Sequence, residues 1–178
     1  MYHFKGITMR TRFRPLLAIA FALALGGIAG TASALPPAEG PVILTITGKI
    51  GDKNKGESAV FDLGMLEKLP QRTFTAQTPW DKQPLKFTGP LLRDVLAAVK
   101  AQGQSISALA LNDYKTAIPV EDAMQHDMII AHRINDQPIP VRTKGPLFIV
   151  YPFDSKPELR ATRYYERSAW QLKSLAID

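Results

Sequence analysis

Residues 87–103 read FTGPLLRDVLAAVKAQG. Leu91, Leu92, Val95, Leu96 and Val99 share one face of a 3.6-residue period, and Gly103 stands where a helix would end in a left-handed residue. The pattern predicts an amphipathic helix over 91–103, the strongest in the chain. Around it the periodicity is that of strands. Pro41 to Ile50 (PVILTITGKI) alternates apolar with polar or small side chains, GDKNKGES is a turn, and Ser58 to Leu63 is a second strand. Leu63 to Leu69 (LGMLEKL) predicts a short helix stopped by Pro70, Gln71 to Gln77 a strand, and Thr78 to Gln83 a polar loop. Downstream, Ile106 to Asn112 and Lys115 to Val120 read as a hairpin around Asp113 and Tyr114. Glu121 to His126 reads as a helical turn, and Met128 to Ile134 as one strand before a turn at Asn135 to Gln137. Pro138 to Val141 is extended, Leu147 to Pro152 (LFIVYP) reads as a buried strand, and Trp170 to Ile177 (WQLKSLAI) as the last. One good helix among many short strands predicts an α+β fold, a single mixed-sheet domain.

The first 34 residues read differently. Lys5, Arg10, Arg12 and Arg14 precede an apolar run from Leu16 to Ala29 and a small-residue site at Ala32, Ser33 and Ala34, the pattern of a secretory signal cleaved after Ala34. The run is short for a membrane span, and Pro36 and Pro37 would break its helical continuation. No twin-arginine pair is present, so export in the unfolded state and a periplasmic location are expected. This segment carries four of the 22 basic residues and none of the 16 acidic ones, so the domain at 35–178 is close to neutral. No arginine stripe with interleaved aromatics marks a nucleic-acid groove, and nucleic acid is not an expected partner. The chain has no cysteine, which excludes disulfides and thiolate chemistry. It also lacks a Gly-x-Ser-x-Gly elbow, a His-Glu-x-x-His pair, a phosphate-binding glycine loop and a dinucleotide fingerprint. With His3, His126 and His132 the only histidines, no three-histidine zinc site is expected in the exported domain.

Four segments in order carry a resemblance: FTGPLLRDVLAAV, ALNDYKTAIPVEDA, IIAHRINDQPIPVRTKGPLFIVYPFD and WQLKSLAI. Together they make the region from about residue 41 to 178 similar to the molybdopterin-binding domain of sulfite-oxidase-type oxidoreductases. The resemblance implies that family's mixed-sheet α+β fold, with a ligand cleft built mainly from loops. Molybdenum enzymes of this type hold the metal through a cysteine thiolate in the segment that runs here from Thr73 to Trp80 (TFTAQTPW). Ala76, Gln77 and Thr78 offer no equivalent soft, anionic ligand. The chain therefore resembles an exported, stand-alone branch that keeps the pterin cleft, similar to periplasmic pterin-binding proteins that regulate a membrane-bound cyclic-di-GMP enzyme. Two other readings stay open: a molybdopterin-dependent oxidoreductase with cysteine-free cofactor binding, and a ligand-free scaffold for protein contacts.

A pterin is a flat bicycle with a donor and acceptor edge, so its binder needs an aromatic platform and a few fixed polar groups. Trp80, in a polar loop, is the first platform candidate, and a core cap is the alternative. Tyr114, in a tight turn, reaches a cleft or lies on the surface; Trp170 reads as core. Arg133 interrupts an apolar strand, as a ligand fork or as half of a structural ion pair. His132 on the opposite face reads as a satisfied structural histidine, and His126 beside Asp127 as a surface residue. Lys144 and Gly145, next to Arg142, form a turn suited to a carbonyl or anionic edge, or a solvated charged turn. Asp154 offers paired acceptor oxygens to an aminopyrimidine, or caps the turn before Ser155. The run containing Arg160, Arg163, Tyr164, Tyr165, Arg167 and Ser168 closes the cleft, faces a partner or is solvated.

Overall fold

A computed structural model describes residues 1–3 and 35–178, so the expected signal and its cleavage site lie outside the described residues beyond the first three. Residues 35–178 fall within one compact unit. The first strand, β1 (Leu44–Gly48), pairs in parallel with the last, here numbered β11 (Leu172–Ile177). This joins the two ends of the domain in the middle of a five-stranded sheet. β2 (Ala59–Phe61) adds antiparallel to β1. On the other side β5 (Ser105–Ala110) and β6 (Lys115–Pro119) follow as an antiparallel hairpin, giving the order β2-β1-β11-β5-β6. In β1, Leu44 and Ile46 are fully buried while Thr45 and Thr47 are half-buried, the period-2 pattern read from the sequence. The strand is shorter than predicted. Gly48 takes φ +86° and leaves no room for a side chain, since a Cβ there would stand 2.1 Å from the Ile177 carbonyl oxygen.

The second sheet is antiparallel, in the order β3 (Gln71–Ala76), β4 (Leu85–Pro90), β8 (Arg133–Ile134), β9 (Gln137–Pro138). A two-stranded ladder joins β7 (Ile129–Ala131) to β10 (Phe148–Val150). The predicted single strand Met128 to Ile134 is thus two strands in different sheets. His132 is the break: its N–H goes to the Thr88 carbonyl at 3.0 Å, and the chain passes from β10 to β4. Asn135 and Asp136, at φ +50° and +66°, form the predicted turn in the two-residue geometry of a hairpin.

Helices fill the connections: α1 (Leu63–Lys68), α2 (Leu92–Ala98), α3 (Val120–Gln125), a 3-10 turn (Pro157–Arg160) and α4 (Thr162–Glu166). α2 buries Leu92, Val95 and Leu96 as its apolar face requires, but ends well before Gly103. Lys100, at φ +49°, takes the left-handed position, with Ala101 N–H on the Leu96 carbonyl and Lys100 N–H on that of Ala97, both at 3.0 Å. Gly103 has a packing role instead, with the Asp178 carbonyl oxygen 2.4 Å from where its Cβ would be. α1 is capped by Asp62, whose Oδ1 accepts Met65 N–H at 2.8 Å while Oδ2 accepts Gly40 and Glu39 N–H at 2.7 and 2.8 Å. These bonds, that from Gly40 first, hold the Asp62 carboxyl below its ordinary range. Phe61, Phe87, Phe148, Tyr151 and Phe153 are the bulkiest fully buried side chains, and they form one continuous core with the aliphatic residues of both sheets. Among the described residues no helix is long and apolar enough to cross a membrane.

Candidate functional site: an aromatic cavity between three loops

β3 ends at Ala76, and the chain then turns back on itself. Thr78 Oγ1 donates to Asp81 Oδ2 at 2.6 Å, Gln77 Nε2 donates to the Asp81 carbonyl at 2.6 Å, and Trp80 N–H reaches Thr78 Oγ1 at 3.3 Å. Asp81 is ion-paired with Lys144, and the Lys144 carbonyl accepts the Gln171 N–H at 2.8 Å. The loop after β3 is therefore tied to the segments that lead into β10 and β11. Trp80 is held edge-on by Trp170, Tyr165 and Phe148, with ring centroids 5.1, 6.0 and 6.1 Å away.

A cavity of about 280 Å³ opens beside these rings, lined by the aromatic side chains of Trp80, Tyr114, Tyr165 and Trp170 and by the polar residues Asn112, Glu166 and Ser168. Tyr114 enters from the β5–β6 turn, where Asn112 Oδ1 accepts its N–H at 3.2 Å. Its hydroxyl donates to the Glu166 carbonyl at 2.6 Å, which bridges that turn to α4. α4 is anchored from below. Arg167 donates to Asp122 Oδ2 at 2.7 Å, and the buried Tyr151 hydroxyl donates to the same oxygen at 2.7 Å. Burial first, and then the Asp122 carboxylate, push the Tyr151 phenol far above its ordinary pKa, so it stays a neutral donor.

The structure brings two of the predicted site residues to this cavity, Trp80 and Tyr114. The other four stand elsewhere. Arg133, on β8, is ion-paired with Glu67 at 3.1 Å and does not line it. Lys144 supports the Trp80 loop through Asp81 from outside the lining. Gly145 is a packing glycine, with the Ile139 carbonyl oxygen 1.9 Å from where a Cβ would be. Asp154 accepts the Gln77 N–H at 2.7 Å and pairs with Arg160 at 2.8 Å, so it pins the same loop rather than facing its cavity. Trp170, read as core, is half-buried and forms cavity wall. His126, read as a surface residue, is buried, packed edge-on to Tyr164 at 5.4 Å. His132 is also buried, 2.9 Å from Gln71 Oε1, and burial lowers its pKa. Glu166 is the functional candidate that sequence reasoning passed over. It sits unmarked within a charged run, and its position beside Tyr114 depends on a contact between residues 52 apart.

Among the described residues no group of three metal-ligating side chains converges. The family model of the oxidoreductase molybdopterin binding domain matches residues 44–153, from the first residue of β1 to just past β10. No curated protein matches the chain. The group this family binds, molybdopterin, joins a pterin bicycle to a metal-binding end. The aromatic wall fits a pterin bicycle. The metal end does not fit, because the segment from Thr73 to Trp80 has no thiolate and its Thr78 hydroxyl is engaged by Asp81. A match spanning most of the domain, on a fold of mixed sheets with short connecting helices, establishes that the chain belongs to the oxidoreductase molybdopterin-binding domain family.

Proposed function

We propose that this chain is an exported, non-catalytic pterin-binding protein that takes up a pterin without molybdenum and regulates a membrane-bound signalling enzyme of the cyclic-di-GMP or a related class. The observation that carries the reading is the cavity lined by Trp80, Tyr114, Tyr165 and Trp170, in a family whose ligand is a pterin. Its volume, about 280 Å³, is near the lower end of the roughly 300–1,000 Å³ usual for small-molecule sites, which suits a bicycle with a short substituent. Four rings supply area and flat faces, while the exposed Asn112 supplies a polar group and the buried Ser168, its hydroxyl donated to the Tyr164 carbonyl, fills the wall. The absence of cysteine supports a binding role over redox chemistry at molybdenum.

The test is to express the full chain with its leader, purify the exported protein, denature it, and measure released small molecules by mass spectrometry beside elemental molybdenum. A stoichiometric, metal-free pterin is expected, and Trp80→Ala is expected to lower pterin affinity about 10-fold or more, the scale of one lost stacking partner. Stoichiometric molybdenum would overturn the reading. No released pterin and no binding of added pterins would leave the protein a scaffold.

A further inference from the structure

The cavity carries an electrostatic signature that its aromatic character does not explain. Among its seven lining residues Glu166 is the one ionisable carboxylate, and none is lysine or arginine. Of the cations close by in the chain, Arg167 pairs with Asp122, Lys144 pairs with Asp81, Arg163 lies over the Tyr164 ring at 4.8 Å, and Lys115, next to Tyr114, is exposed and outside the lining. The Glu166 backbone is fixed by the Tyr114 hydroxyl on its carbonyl, while its carboxylate has no hydrogen-bond or ion-pair partner among the described residues. An ionised carboxylate is acceptor-only, with two oxygens side by side. The 2-amino group and N3–H of a pterin form a matching pair of donors. A phosphate ester, by contrast, would bring a second anion to a cavity whose lining holds Glu166 and has no lysine or arginine to offset it.

We infer that Glu166 reads the donor edge of the ligand, and that the cavity selects unphosphorylated pterins over phosphorylated ones, molybdopterin included. The inference rests on the pterin reading above and adds a residue and a charge rule to it.

Calorimetric titration of the full exported domain with neopterin and with neopterin monophosphate tests both parts. The wild type is expected to bind neopterin at least about 10-fold more tightly than its monophosphate. Glu166→Gln is expected to lose about 10- to 100-fold for neopterin, the range for a hydrogen bond to a charged group, and to narrow the gap between the two ligands. Glu166→Lys is expected to reverse the preference. Glu166 is exposed, and the Tyr114 bond uses its backbone, so both variants should keep the wild-type circular dichroism spectrum. Equal wild-type affinity for the two ligands, or neopterin binding unchanged in both variants, overturns this inference and leaves the pterin reading standing. A wild type that binds neither ligand overturns both.

Discussion

Gly89 lies in β4 where the strand crosses the β7 backbone, and an added Cβ would stand 2.0 Å from the Ile130 carbonyl oxygen. Neither backbone can yield without breaking a ladder, so Gly89→Ala is expected to destabilise by at least about 1–3 kcal/mol, the cost of overpacking. A urea midpoint lowered at unchanged slope would verify it, and an unshifted midpoint would contradict the contact. His132, whose N–H reaches the carbonyl of the adjacent Thr88, makes stability depend on pH. Burial holds its pKa below the ordinary 6.5; Arg133 acts in the same direction and Glu67 opposes. As pH falls through that value the unfolded imidazole takes up a proton that the folded one resists, so stability is full above pH 6.5 and declines below it. Carboxylates such as Asp62 add their own loss only near or below about pH 4. His132→Gln should flatten the decline between pH 6.5 and 5 in melting temperature, and a decline as steep as the wild type's would remove His132 as its cause.

At the scale of elements, the loop after β3 has a second tether besides the Asp81–Lys144 pair, since Asp154 accepts the Gln77 N–H and pairs with Arg160 of the 3-10 turn. Asp154→Ala is expected to speed hydrogen exchange at residues 77–81 while leaving β5 and β11 unchanged; equal protection in both proteins would show the tether to be dispensable. The same loop shows what a sequence can and cannot convey. Alternation in β1 and β5 and the Pro70 stop after α1 were legible because they depend on neighbours along the chain. The roles of Lys144 and Arg133 were not, because their partners, Asp81 and Glu67, lie 63 and 66 residues away. Of the cavity, Trp80 and Tyr114 stood out as aromatics in polar loops, whereas Trp170 looked like the first residue of a core strand. Gln171, at φ +51°, interrupts the chain just before β11, so Trp170 is not part of that strand.

For the whole molecule, the cavity is a joint product of regions distant in sequence. Trp80, Asn112 and Tyr114 lie within the stretch matched by the family model, and Tyr165, Glu166, Ser168 and Trp170 follow it. The second group is clamped to α3 of the matched stretch by Arg167 on Asp122, a pair of which both members are largely buried. Arg167→Gln would leave Asp122 with one donor fewer in a poorly solvated place, at a cost of about 3 kcal/mol. A lower melting temperature together with weaker pterin binding is expected, and intact binding would show that the α4 wall holds without the clamp. The two tryptophans of the chain, Trp80 and Trp170, meet edge-on with ring centroids 5.1 Å apart, and both form cavity wall. All indole emission from this protein therefore originates at the place where a ligand would sit. Its quenching, and energy transfer to any bound chromophore absorbing near 350 nm, report occupancy directly, without a label and with no distant indole to dilute the signal.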